Sequence, residues 1–141
     1  MSSPSATSRH AVRPGSGVGG ARRTVLVVDD DQDALDVIAT VIEEAGHDVM
    51  RARNGREALQ QLHDSQGRCD LILLDLLMPV MNGWDFRRRQ RETPAFARIP
   101  VFLMSAGAHL AVVRDELQAS GCVAKPIDAG EILDVVKRHC S

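Results

Sequence analysis

Residues 70–83 read DLILLDLLMPVMNG. Leu71 to Leu74 are a continuous apolar run of strand length, the pattern of a β-strand buried on both faces, and such strands belong to parallel sheets covered by helices. The run ends on a carboxylate, Asp75, before the Pro79, Asn82 and Gly83 punctuation of a loop that opens a helix. An unpaired carboxylate at the end of a buried strand would cost several kcal/mol, so Asp75 needs partners from elsewhere in the chain.

The flanking sequence repeats the strand-then-helix pattern. TVLVVD, from Thr24, is β-branched and strand-like. A helix from Asp31 or Gln32 to Ala45 then carries Leu35, Ile38, Ala39 and Ile42 on one face and stops at Gly46. DVMRAR is a weaker strand, Asn54 caps a helix over GREALQQL, and Asn82 opens one through WDFRRRQRE. IPVFLMSA is a fourth strand, followed by a helix over HLAVVRDELQAS that is expected to end at Gly121. CVAK is a short fifth strand, and DAGEILDVVKRHC a last helix with an Asp-x-x-Glu start. Five β-α units with right-handed crossovers predict an α/β fold: a doubly wound, five-stranded parallel sheet with helices on both faces.

Composition fits one such domain. The chain has 141 residues, 44% of them hydrophobic and 26% charged, with a formal net charge of −2. The apolar runs fall short of the ~18 residues of a membrane helix, and no secretory h-region opens the chain, so a cytoplasmic protein with no membrane partner is expected. Residues 1–23 are rich in Ser, Gly, Pro and Arg, with four of the 17 Lys+Arg and none of the 19 Asp+Glu, and read as a flexible basic tail before a domain at 24–141. Cys69, Cys122 and Cys140 are too scattered for a disulfide framework or a zinc spacing, and the five histidines make no metal pair. Arg87, Arg88, Arg89 and Arg91 are expected on a solvated helix face, with Trp84 and Phe86 anchoring the core; at 3% aromatic content, nucleic acid is not an expected partner. The helix over HLAVVRDELQAS is expected to pack on the core, with a partner surface as the alternative.

In doubly wound sheets ligands gather outside the carboxyl ends of the strands. Asp29, Asp30 and Asp31 follow strand one, Asp75 ends strand three, Ser105 strand four and Lys125 strand five. Clustered acids raise one another's pKa unless a cation sits among them, and Lys125 cannot neutralise them all. Oxygen ligands at a partly open site favour a hard ion that keeps several waters, which is the preference of Mg²⁺. Flanked by Mg²⁺ and Lys125, Asp75 is an available nucleophile for a phosphoryl group; Ser105 would hydrogen-bond the new phosphoryl oxygen and Lys125 would balance its charge.

The stretches VLVVDDD, LILLDLLMPVMNG, VFLMSA and VAKP resemble the four signatures of response-regulator receiver domains of two-component signalling, over Thr24 to about Cys140. The resemblance implies a flavodoxin-like (βα)5 fold with strand order 2-1-3-4-5. It also implies Asp75 as phosphoacceptor, Asp30 as a direct Mg²⁺ ligand, Asp29 helping through water, the Leu77 backbone carbonyl as a further ligand, and Ser105 and Lys125 in the roles already given. The expected partner is a histidine kinase or histidine phosphotransfer protein. Signalling would proceed by docking or relay with output in another protein, a phosphorylation-dependent dimer stays open, and the only catalysis is the domain's own phosphorylation and dephosphorylation. The Lys125-Pro126 bond is often cis in that family.

Three departures stand out. Cys122 replaces the Tyr or Phe that usually precedes the active-site Lys by three residues, so signal is expected to leave through the loop after Ser105. Leu77 and Gly107 occupy the positions that tune hydrolysis in the family the chain resembles, and neither side chain can orient a water, so a long-lived phosphoryl group is expected. Asp31 is expected to be outer-sphere or solvated. Two alternatives remain. One is a receiver that binds partners without phosphorylation. The other is a phosphatase of the haloacid-dehalogenase type, which VVDDDQ and FLMSAG fit loosely; it lacks the Gly-Thr after the acids and leaves LLDLLMPVMNG unexplained.

Overall fold

The computed structural model describes residues 22–78, 80–105 and 110–140. Strands and helices alternate as β1 (Thr24–Val28), α1 (Gln32–Glu44), β2 (Asp48–Ala52), α2 (Gly55–Asp64), β3 (Leu71–Asp75), α3 (Gly83–Glu92), β4 (Val101–Ser105), α4 (Leu110–Glu116), β5 (Gly121–Ala124) and α5 (Ala129–Cys140). The strands pair in parallel in the order β2-β1-β3-β4-β5, the order the sequence implies. Every residue of β3 and β4 is buried, whereas β2, at the edge, is only partly covered.

The period-2 alternation of side chains along each strand divides the core. Leu26, Val28, Ile72, Leu74 and Leu103 pack on one face with Leu62 of α2 and Phe86 of α3. Val25, Val27, Leu71, Leu73 and Met104 pack on the other with Leu35, Ile38 and Ile42 of α1 and Ile132, Val135 and Val136 of α5. Since consecutive β3 residues feed opposite layers, its apolar run has to be continuous.

Short polar side chains start the first three helices. Asp31 accepts from the backbone N–H groups of Asp33 and Ala34, Asn54 from Glu57 and Asn82 from Asp85. Each satisfies a donor that the first turn leaves open, worth about 1 kcal/mol per cap. Asp31 is exposed, as expected, and capping α1 is its observed contact.

The expected end of the fourth helix is corrected. The fourth helix stops at Glu116, and the turn after it is closed by Gln118 at φ +53°, with Ala119 N–H donating to the Arg114 carbonyl. Gly121 begins β5 instead of ending the helix, because its Cα faces the Phe102 ring: a Cβ there would lie 2.5 Å from a ring carbon. The helix itself packs on the core as expected: Leu110 is buried, and Val113 and, just beyond the helix, Leu117 pack partly buried against the same cluster.

The arginine run is not uniformly solvated. Arg87 is 7% exposed and donates to the carbonyls of Leu117 (2.9 Å) and Gln118 (2.8 Å) and to Gln90 Oε1 (2.7 Å). Gln90 in turn donates to the carbonyls of Phe96 and Ile99. Phe86 is in the core as expected, but Trp84 is 37% exposed. The helical period puts Gly83, Phe86, Arg87 and Gln90 on the inner face and turns Trp84 outward.

At the N-terminal side, Arg22 and Arg23, the last residues of the stretch expected to be a tail, are fastened to the start of β2. Arg22 pairs with Asp48 (2.6 and 2.9 Å), and Arg23 N–H donates to His47 Nδ1 (3.1 Å). Burial and the nearby charges of Arg22 and Arg23 lower the pKa of His47, consistent with a neutral ring accepting that bond. Residues 1–21, the rest of the expected tail, lie outside the described residues, as do Pro79 and Gly107.

Candidate functional site

Parallel strands deliver their last residues to one edge, and β1, β3, β4 and β5 deliver the four expected groups there. Asp29 follows β1, with its N–H held by the Ala52 carbonyl at 3.0 Å, and its side chain is fully buried. Asp75 ends β3 and is 5% exposed; Ser105 ends β4 and is likewise buried. Lys125 follows β5, its N–H donating to the Ser105 carbonyl at 2.9 Å, and the cis peptide bond to Pro126 comes next.

Lys125 Nζ lies 2.8 Å from Asp29 Oδ2 and 3.4 Å from Asp75 Oδ2. The remaining oxygens are held by the backbone: Asp29 Oδ1 accepts from Asp31 N–H at 3.0 Å and Asp75 Oδ1 from Leu77 N–H at 3.3 Å. Asp30, exposed to solvent, joins from the rim, and one carboxylate oxygen from each of Asp29, Asp30 and Asp75 lies within 4.8 Å of the others. The Ser105 hydroxyl makes no hydrogen bond among the described residues.

One ammonium for three carboxylates leaves an uncompensated field. Burial pushes the Asp75 carboxyl up to about 6; Lys125 opposes that shift, Asp29 adds to it, and the Leu77 N–H offsets part of it. Burial also lowers the affinity of Lys125 for its proton, but the hydrogen bond to Asp29 and the charges of both carboxylates outweigh it and hold its pKa above the ordinary value. The pocket is therefore short of positive charge even with Lys125 in place. A hard divalent cation fits the donor set, which is all oxygen and open to water on the Asp30 side, and Mg²⁺ takes such sites.

Asp29, Asp30, Asp75 and Lys125 thus come together, with Ser105 on the adjoining strand. Leu77 is 66% exposed and contributes its N–H to Asp75. Beside Lys125 runs an apolar groove of about 550 Å³ lined by Asp33, Val37, Ile38, Pro126 and Ile127. What sequence reading missed is the environment of α4: the buried Arg87 that grips its C-terminal carbonyls was legible only from helical phase, since Arg87 shares a face with Phe86 and Gln90.

Comparison with known proteins bears on the family and the fold. The model of the response regulator receiver domain matches residues 25–137. The chain is 36% identical over 115 residues to a CpxR homolog, a transcriptional regulatory protein of Haemophilus influenzae, covering 80% of this chain and 48% of that protein. It therefore spans about half the length of that curated relative. Among solved structures, a putative response regulator from Chloroflexus aurantiacus superposes with a TM-score of 0.76 at 30% identity, covering 83% of this chain and 96% of that one. The chemotaxis response regulator CheY4 of Vibrio cholerae gives 0.76 at 26% identity, covering 84% and 98%.

Proposed function

The chain belongs to the response regulator receiver domain family, and from that membership we propose that it is a phosphoacceptor, taking a phosphoryl group onto Asp75 from a histidine kinase or histidine phosphotransfer protein. The observation that carries this reading is the convergence of Asp29, Asp30, Asp75 and Lys125 at the carboxyl edge of the sheet.

In the proposed step the P–N bond of a partner phosphohistidine breaks as a P–O bond to an Asp75 carboxylate oxygen forms. The released imidazole nitrogen keeps the electron pair and takes up a proton, and the product is an aspartyl phosphate. Asp30, Asp75 and, by family resemblance, the Leu77 carbonyl would hold a Mg²⁺, with Asp29 helping through water, and the ion would supply neutralisation of the phosphoryl oxygens. Lys125 balances the charge from the β5 side. The Ser105 hydroxyl, with no partner among the described residues, donates to a phosphoryl oxygen. Burial raises the Asp75 carboxyl to about 6, and the Lys125 ammonium opposes that rise and favours the ionised, nucleophilic form.

The domain catalyses only its own phosphorylation and dephosphorylation. The exposed, aliphatic Leu77 side chain cannot align a water for attack, which favours a long-lived phosphoryl group. Signal leaves by protein docking or relay, through the segment joining β4 to α4, since Cys122 offers no ring to rotate. The proposed setting is the cytoplasm; among the described residues no helix is long and apolar enough to cross a membrane. Family membership removes the ground for the phosphatase alternative.

Intact mass after incubation with a small phosphodonor tests the proposal. Gain of one phosphoryl group, dependent on Mg²⁺ and absent in Asp75→Asn, is the expected result. No gain under any condition would leave a receiver that acts by binding alone.

A further inference from the structure

A second feature lies on the opposite face of the sheet from α1 and α5. Between α2 and α3 runs a groove of about 410 Å³, walled by Arg56, Leu59 and His63 on α2, by Arg89 on α3, and by Val80 and Met81 of the loop joining β3 to α3. None of Asp29, Asp30, Asp75, Ser105 or Lys125 takes part in it. Its floor is fixed: the Met81 carbonyl accepts the Gly55 N–H at 2.9 Å, and a Cβ on Gly55 would stand 2.8 Å from Met81 Cγ, so loop and helix meet at the closest approach that glycine allows. Val80 sits on this floor at φ +68° with 75% of its surface exposed. A β-branched residue in the left-handed region is held there against its own preference, and here it presents an aliphatic side chain to solvent.

The charge in the groove is one-sided. The Arg56 and Arg89 side chains, on opposite walls, have no hydrogen-bond or ion-pair partner among the described residues, and no acid lines the groove. Elsewhere on the surface the exposed Arg51 pairs with Asp36 and Glu43 and Arg88 with Asp85, whereas no acid lines the groove between Arg56 and Arg89. Two free guanidinium groups flanking an aliphatic floor are complementary to carboxylates flanking an aliphatic side chain.

We propose that the α2–α3 groove docks an acidic amphipathic segment of a partner protein, its carboxylates on Arg56 and Arg89 and an apolar side chain on Leu59, Val80 and Met81. A protein segment is favoured over nucleic acid by the lining. The floor is aliphatic, and the one ring present, His63, already packs edge-on against Phe96 at 4.9 Å, leaving no platform for a base.

The test uses the full chain without Mg²⁺ or phosphodonor, so its outcome is independent of Asp75 chemistry. The probe is a short fluorescein-labelled peptide with glutamates and leucines at helical spacing, followed by fluorescence anisotropy. Binding is expected, with a loss of at least about tenfold in the Arg56→Glu, Arg89→Glu double variant, a loss of about threefold in Val80→Ser, and no change in Arg98→Glu, which alters charge at an exposed site outside the groove. Should the charge-reversed protein fail to fold, Arg56→Gln with Arg89→Gln gives the same reading without reversal. No binding, equal binding by the double variant, or equal loss in Arg98→Glu overturns the proposal. So does groove-dependent capture of a single-stranded oligonucleotide in place of the peptide, or self-association that the same arginine substitutions abolish, which would make a second copy the occupant.

Discussion

Two cationic side chains are drawn into the body of this domain, and their surroundings differ in kind. Lys125, at the carboxyl edge of the sheet, faces two buried carboxylates, and its pKa is raised. Arg87, at the seam between α3 and α4, faces two backbone carbonyls and an amide oxygen; burial and the neighbouring Arg91 lower its pKa. Both arrangements satisfy the donors. Only the first leaves surplus negative charge, which suits that region to hold a cation, while the other is a clamp. The carbonyls that Arg87 grips, those of Leu117 and Gln118, close the turn after α4, where the backbone has no further N–H to offer them.

The largest effect should come from breaking the clamp. Arg87→Met keeps most of the buried stem but orphans the Leu117 and Gln118 carbonyls and Gln90 Oε1, a cost of about 3 kcal/mol. Denaturant unfolding should show that loss equally at pH 5 and pH 8, because no titrating partner is involved. A strongly pH-dependent loss would mean that Arg87 is balanced by an ionisable group after all.

Lys125→Met should behave in the opposite way. It leaves Asp29 and Asp75 facing each other without a counter-ion, which costs about 2 kcal/mol at neutral pH, discounted because Lys125 is partly exposed. The cost should shrink as pH falls and Asp75 takes up a proton, and adding Asp75→Asn should recover most of it. If the double variant is no more stable than Lys125→Met alone, the lysine is held by packing and not by charge.

Asp75→Asn alone sharpens the same point. The folded-state pKa of Asp75, about 6, is raised above its unfolded value, so the folded protein binds the proton more tightly and stability falls as pH rises from about 4 to about 6. Removing the charge should therefore stabilise the metal-free protein by about 1–3 kcal/mol above pH 6 and have almost no effect near pH 4. Mg²⁺ should reverse the ranking by stabilising the wild type far more than the variant. Thermal melts across that pH range, with and without Mg²⁺, are the measurement.

The contrast also explains which parts of the molecule could be read from sequence. The edge site was legible because strand ends are marked locally: an apolar run stops, and an acid, hydroxyl or lysine stands at the stop. Strand polarity then carries Asp29, Asp75, Ser105 and Lys125 to one side without knowledge of any side-chain contact. The seam was not legible in this way. Four arginines in five positions look like a solvated face by composition, and only the phase of α3 separates buried Arg87 from exposed Arg88 and Arg89. The end of α4 misled for a related reason. Gly121 is a normal stop signal, yet the Phe102 ring requires it in the neighbouring strand, and the left-handed residue at the turn is Gln118, whose side chain carries no such mark.

The smallest effect is also found at the seam. Arg91 reaches Gln118 Oε1 at 2.6 Å, the shortest hydrogen bond made by the arginine run, and distance alone would rank it above the Arg87 contacts. Both partners are exposed, however, so each already has water as an alternative, and fixing two long side chains costs entropy. Arg91→Ala should therefore cost no more than about 0.5 kcal/mol, several times less than Arg87→Met on the same helix. It should also relieve Arg87 of a like charge, offsetting part of that cost. A loss comparable to that of Arg87→Met would show that the Gln118 side chain, and not the pair of buried carbonyls, fastens α4 to α3.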